Sequence, residues 1–170
     1  MISKPAAGEY TPFQNQYVSL VGDASVLDVL ADSKTKTHAF FSAIPPEKEE
    51  YAYAPGKWTI KEVAAHMIDT ERIFAYRLLA FARGEKQPLP GFEQDDYAAL
   101  SFANNRILHD LADEFRVVRE STLYLVRNLH EQQQTAIGIS SGNPLSVRAL
   151  AYLIAGHELY HIRKLQELYL

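Results

Sequence analysis

Residues 108–129 read LHDLADEFRVVRESTLYLVRNL. Leu108, Leu111, Phe115, Val118, Thr122, Leu125 and Leu129 alternate three and four apart, the seam of a helix packed against others in a bundle. Three further segments can join it. From about Asp23 to Ala43, Leu27, Leu30, Thr37 and Phe41 fall near one face, with Ile44 just beyond, and Pro45-Pro46 ends the pattern. Thr59 followed by Glu62 forms a capping box, which starts a helix that runs to about Ala82. Ser146 is an N-cap for a last helix reaching the C-terminus.

The remaining sequence connects these four. Residues 1 to 22, broken by Pro5, Gly8, Pro12 and Gly22, read as an arm with Tyr10, Phe13, Tyr17, Val18 and Leu20 as apolar anchors. The stretch from Gly84 to Gly91 is a loop, Gln94–Leu100 makes one or two helical turns, and Ser140 to Pro144 is a second loop. The alternation of a β-strand persists nowhere outside the arm. The expectation is a single all-α domain over residues 1–170, a four-helix bundle in which the connection between the second and third helices is long enough for a crossover, so that up-down order and crossover order both stay open.

Composition narrows the function. The chain is 47% hydrophobic and 22% charged, with a net charge of −4 and no basic stripe, which argues against nucleic acid or an anionic membrane as partner. No apolar run approaches the roughly 20 residues that span a bilayer, and the first ten residues hold no signal-peptide core, so the expected location is the cytoplasm. The absence of cysteine removes disulfides, thiolate ligands and a cysteine nucleophile together.

Histidines carry the remaining signal. The inward stripe of the last helix runs Leu150, Leu153/Ile154, His157, His161, Leu165, Leu168. Side chains at i and i+4 stand about 5–6 Å apart, which suits two imidazoles on one cation. Two imidazoles on an apolar stripe need a shared partner to offset their burial. His157 to His161 also spells H-E-x-x-H, the zinc metalloprotease motif. A protease needs a third ligand further along, and Glu167, six residues after His161, points away from the histidine face. The third ligand therefore comes from upstream, where His66 shares a helix face with Val63, Thr70 and Ile73. Three neutral imidazoles with an open fourth position make a catalytic rather than a structural divalent site. His109 and His130 lie off the seam and read as solvated, and His38 as partly buried and not a ligand.

Asp69 and Glu158 are candidates to orient the imidazoles by hydrogen bonds. The competing reading makes both surface carboxylates, Asp69 paired with Arg72 and Glu158 solvated, since no basic residue lies three or four positions from it. Arg77 is about 16 Å along the helix from His66, out of reach of a metal there but able to meet the far end of a long substrate. No residue stands out as a catalytic acid, base or nucleophile.

The segments GKWTIKEV (56–63), HMIDTER (66–72), LPGF (89–92) and AGHELYH (155–161), in this order and spacing, resemble the DinB/YfiT-like metal-binding superfamily. The resemblance runs over essentially the whole chain, including the arm and the final Tyr169-Leu170. It implies a four-helix bundle of unusual crossover order, one nickel or zinc ion on His66, His157 and His161, and a homodimer. Relatives often carry a histidine where this chain has Tyr160, a position that is not a family ligand but belongs to the pocket wall. The resemblance also implies chemistry of one of two kinds: transfer or isomerisation using a low-molecular-weight thiol such as bacillithiol or mycothiol, or hydrolysis. A metal with an open position lowers the pKa of a bound thiol or water. With no cysteine in the chain, the thiol must arrive on a cosubstrate. Thiol transfer to a small electrophile is the first reading. A metal-dependent hydrolase of a small substrate and a non-catalytic metal-binding bundle are the alternatives.

Overall fold

A computed structural model describes residues 2–170. In chain order the elements are α1 (Asn15–Val18), α2 (Val26–Ser42), α3 (Ile60–Ala82), α4 (Gln94–Leu100), α5 (Leu108–Arg127), α6 (Glu131–Gln134), a hairpin of β1 (Ile137–Ser140) and β2 (Asn143–Ser146), and α7 (Val147–Leu168). The long helices α2, α3, α5 and α7 form the expected four-helix bundle. The local signals act as anticipated. Thr59 and Glu62 cap each other at the start of α3, and the Ser146 hydroxyl accepts from the Ala149 amide at the start of α7. Each such cap stabilises by about 1 kcal/mol.

The core consists of two apolar clusters separated by a polar layer. The first holds Val26 and Leu30 of α2, Leu78 and Phe81 of α3, Leu123 and Val126 of α5, and the first half of α7. The second holds Phe41 of α2, Ile60 to Ile68 of α3, Leu108 to Phe115 of α5, and Leu165 near the end of α7. Helices α2 and α7 thus run in one direction, and α3 and α5 in the other. Helices α2 and α5, α5 and α3, and α3 and α7 pack side by side, and α7 closes the ring on α2. Since α3 and α5 are parallel neighbours, the connection 83–107 must return the whole length of the bundle. This is the long crossover. Arg77 pins it: buried, it donates to the Pro90 carbonyl at 2.7 Å rather than facing a substrate.

Two local expectations fail. The loop at Ser140 to Pro144 is a hairpin, with Ile137 paired to Ser146 and Ser140 to Asn143. Ser141 and Gly142 both take positive φ, at 52° and 76°, as a two-residue turn of this kind requires. Strands of four residues are too short for alternation to register, and Pro144 masks the second. Leu89 of the crossover adds main-chain bonds to it, receiving from the Ser141 amide and donating to the Ile139 carbonyl. The arm is also more ordered than its glycines and prolines suggest. Residues 12–21 form consecutive helical turns, with Val18 and Val21 buried against α7. Glu9 fastens the arm to the first turn of α7: it accepts from the Ser146 hydroxyl at 2.7 Å and from the Arg148 guanidinium. Among the described residues no helix is long and apolar enough to cross a membrane.

Candidate metal centre

In every long helix the apolar pattern is interrupted at mid-bundle. The interruption is Ser33 and Thr37 in α2, Thr70 and Glu71 in α3, Arg119 and Thr122 in α5, and His157 and Glu158 in α7, all buried. Thr122 bonds back to the Val118 carbonyl of its own helix at 3.1 Å, and the others, with His66 and His161, form two groups.

The first group is the histidine trio. His66 Nε2 and His161 Nε2 each stand 3.1 Å from His157 Nε2. A tetrahedral ion with bonds of about 2.0–2.1 Å to nitrogen would space its ligand atoms about 3.3 Å apart, so the trio already has the dimensions of three ligands of one ion. Burial holds the His66 imidazolium down to about pKa 4. Burial and then the neighbouring His66 hold His161 down to about 3, and burial with both neighbours keeps His157 well below the ordinary value. All three are therefore neutral near pH 7, the protonation state a metal requires. Thr70 Oγ1, one turn after His66, stands 3.5 Å from its Nδ1, and a proton on that nitrogen leaves the Nε2 lone pair facing the trio.

Aromatic rings enclose the imidazoles. Trp58 tilts over His66 with ring centroids 4.6 Å apart, Tyr17 meets His157 edge-on at 5.5 Å, and Tyr160 meets His161 at 5.3 Å. Tyr17 and Tyr160 also pack edge-on against each other at 5.2 Å. Trp58 is held by the last turn of the chain, where the Tyr169 hydroxyl donates to its carbonyl at 2.9 Å.

Two clefts reach the trio and share no lining residue. One, of about 440 Å³, is lined by His66, His157, Phe13 and Tyr17 of the arm, Phe74, and Phe92 of the crossover. The other, of about 500 Å³, is lined by His161, Trp58, Tyr160, Lys57, Lys164 and Asp95. Both sizes suit small molecules.

A match to the family model of the DinB superfamily covers residues 30–165. The chain belongs to the DinB superfamily. Its structure is similar to that of YfiT from Bacillus subtilis, described as a probable metal-dependent hydrolase with an unusual four-helix bundle topology. The TM-score is 0.73 over 98% of this chain and 91% of that one, at 16% sequence identity, a likeness of fold. No curated protein sequence matches the chain.

Within this DinB bundle the remaining candidates separate. Tyr160 lies beside His161 in the cleft wall. Asp69 does not reach the histidines: it pairs with Arg72 at 3.6 Å in a small recess with Arg106 and Glu114. His38 bonds Asp113 at 3.0 Å, His109 stands 3.8 Å from the same carboxylate, and His130 is exposed. Glu158 is neither solvated nor bonded to an imidazole. It is 2% exposed, accepts from Ser33 at 2.7 Å and from Thr37, and meets Arg119 at 2.6 Å. Arg119 is wholly buried and forks onto Glu71, Nε and Nη2 each 2.8 Å from a carboxylate oxygen. Sequence reasoning passed over Arg119 by running the α5 seam through Val118. The available signal was a charged residue four after Phe115 and three before Thr122, on the buried face.

Proposed function

We propose that His66, His157 and His161 hold one divalent ion, nickel or zinc. We further propose that the protein uses it to activate a low-molecular-weight thiol for attack on a small electrophile. The observation that carries this reading is the meeting of two separate clefts at one histidine trio. Two reactants can approach the same point by different routes, as a transfer reaction needs.

An ion bound there supplies Lewis acidity, lowering the pKa of a thiol or water in its open position. The chain's own residues do the rest. The three neutral imidazoles provide lone pairs, and the Thr70 hydroxyl, 3.5 Å from His66 Nδ1, is placed to accept from that nitrogen when Nε2 faces the ion. Trp58, Tyr17 and Tyr160 exclude bulk water from the imidazoles and so strengthen electrostatic effects between them. The arm cleft, which sets Phe13, Tyr17, Phe74 and Phe92 beside the polar side chains of Gln14 and Asn143 and has no cationic lining residue, suits an uncharged electrophile with an aromatic or apolar body. The second cleft, with Lys57, Lys164 and Asp95, suits a polar, charged thiol.

A second reading is hydrolysis of a small substrate by metal-activated water. It is favoured by the description of the structural neighbour as a probable metal-dependent hydrolase. Elemental analysis of the purified protein, then a screen of small thiols against a halogenated nitroarene or an epoxide, separates the two. Conjugation that needs both metal and thiol supports transfer. Thiol-independent turnover of an ester or amide at a comparable rate, inhibited by added thiol, would overturn it in favour of hydrolysis.

A further inference from the structure

The second polar group of the mid-bundle layer lies behind the histidines and lines neither cleft. It joins all four long helices. Arg119 of α5 grips Glu71 of α3 through two nitrogens, and its Nη1 reaches both Glu158 of α7 and the Ser33 hydroxyl of α2 at 2.6 Å. The two carboxylates are only 4% and 2% exposed. Glu71 follows Thr70, the residue beside His66 Nδ1, and Glu158 follows His157 directly. Each histidine-bearing helix thus presents its ligands on one face and a carboxylate on another, and a single guanidinium spans the two carboxylates.

We infer that Arg119, with Glu71 and Glu158, is a positioning device that sets the register of His66 against His157 and His161. Apolar packing alone tolerates sliding and repacking of helices, because hydrophobic contact is non-directional. A planar fork hydrogen-bonded to two carboxylates does not, since its nitrogens have fixed directions. The histidines need that definition: they come from helices 91 residues apart in sequence, and an error of 1 Å between α3 and α7 is large against a spacing of 3.1 Å. Stability gives no equal account of the bridge, because well-packed apolar residues commonly replace a buried ion network without loss. The bridge touches no cleft, so its role is exerted through the helices and not on a reactant.

This inference rests on the reading of the trio as a metal site, and the test keeps the two apart. Cobalt is titrated into the wild-type protein, the Glu71→Leu/Arg119→Met/Glu158→Leu variant and the Arg119→Lys variant, following the visible cobalt spectrum, affinity and melting temperature. The apolar triple variant should stay folded and melt near the wild type, yet bind cobalt at least tenfold more weakly with an altered spectrum. Arg119→Lys keeps the charge and loses the fork, and should show the same loss to a smaller degree even if the triple variant fails to fold. Wild-type affinity and spectrum in either folded variant overturn the proposal. If the wild-type protein binds no cobalt, the metal reading fails instead. The positioning role is then decided by crystallography of Arg119→Lys. An unchanged His66–His157 separation overturns it, and a widened one supports it.

Discussion

Gly156 and Tyr17 meet where a side chain would have to stand: a Cβ built on Gly156 would lie 2.0 Å from the Tyr17 carbonyl oxygen. The glycine lets the arm lie directly on α7, one residue before His157, and this approach brings the Tyr17 ring against both His157 and Tyr160. The arm is therefore part of the site.

Gly156→Ala tests that contact. Alanine gains about 1 kcal/mol of helix propensity over glycine. The clash is with backbone rather than a flexible side chain, and overpacking of this kind costs about 1–3 kcal/mol. The net outcome should be a lower melting temperature, with residues 12–21 cut faster by protease than in the wild type. Unchanged melting and protection would mean that the arm does not bear on α7 in solution.

Removing metal should destabilise the protein without unfolding it. A ligand present at 100 times its dissociation constant adds about 2.7 kcal/mol of stability. A chelator should lower the melting temperature of the wild type while leaving its helical circular dichroism intact, since both apolar clusters are complete without an ion. His161→Ala should melt at one temperature with or without chelator and retain no metal on elemental analysis, whereas His109→Ala should behave as wild type. Collapse of the helical signal on chelation would instead make the ion a structural staple.

The metal-free protein should lose stability as pH falls. His66 and His161 are held down to about 4 and about 3 in the folded chain, against an ordinary value of about 6.5 when unfolded. Between these values the unfolded chain binds more protons, so acidification favours unfolding. Their neutral state contributes fully above about pH 6.5, and the contribution declines through pH 5 towards the folded values. Urea unfolding at pH 7 and pH 5 should show this drop in the wild type, and a smaller one in His66→Gln/His161→Gln. Equal pH slopes in the two proteins would refute the assignment.

Thr59→Ala removes the cap of α3 and the Thr59 contact with Asn104 at 2.7 Å. A loss of about 1 kcal/mol is expected for the cap, which lowers the melting temperature by about 2–4 °C in a chain of this size. Because Thr59 adjoins Trp58, whose ring covers His66, the single tryptophan should also change its fluorescence. A melting temperature within error of wild type would show that the cap is dispensable.

Much of this was written locally in the sequence. A helix satisfies its own backbone, so the three-and-four spacing of residues 108–129, the Thr59–Glu62 box and the Ser146 cap each specify an element from neighbours a few residues away. His157 and His161 are legible for the same reason, since one turn of α7 brings them together. The third member needed a guess about which helix faces α7, and His66 was found because it too interrupts an apolar face.

What the tertiary structure decided lies at longer range. Neither reading of Glu158, as a partner of an imidazole or as a solvated carboxylate, reaches its actual partner, because Arg119 stands on another helix 39 residues back. A charge on the buried face of α5 signals that Arg119 is buried, not which carboxylate it meets. Asp69 falls at the edge of the face that buries His66 and Thr70, about 60° round the helix from His66, and its half-buried carboxylate finds Arg72 one turn on instead of an imidazole. The arm over the trio, the crossover lining both clefts and the hairpin that receives Leu89 depend on segments distant in sequence, with no periodicity to reveal them. Periodicity specifies which face of a helix is buried. Which helix it is buried against, and which buried charge finds its counter-charge there, is settled only when the four helices close on one another.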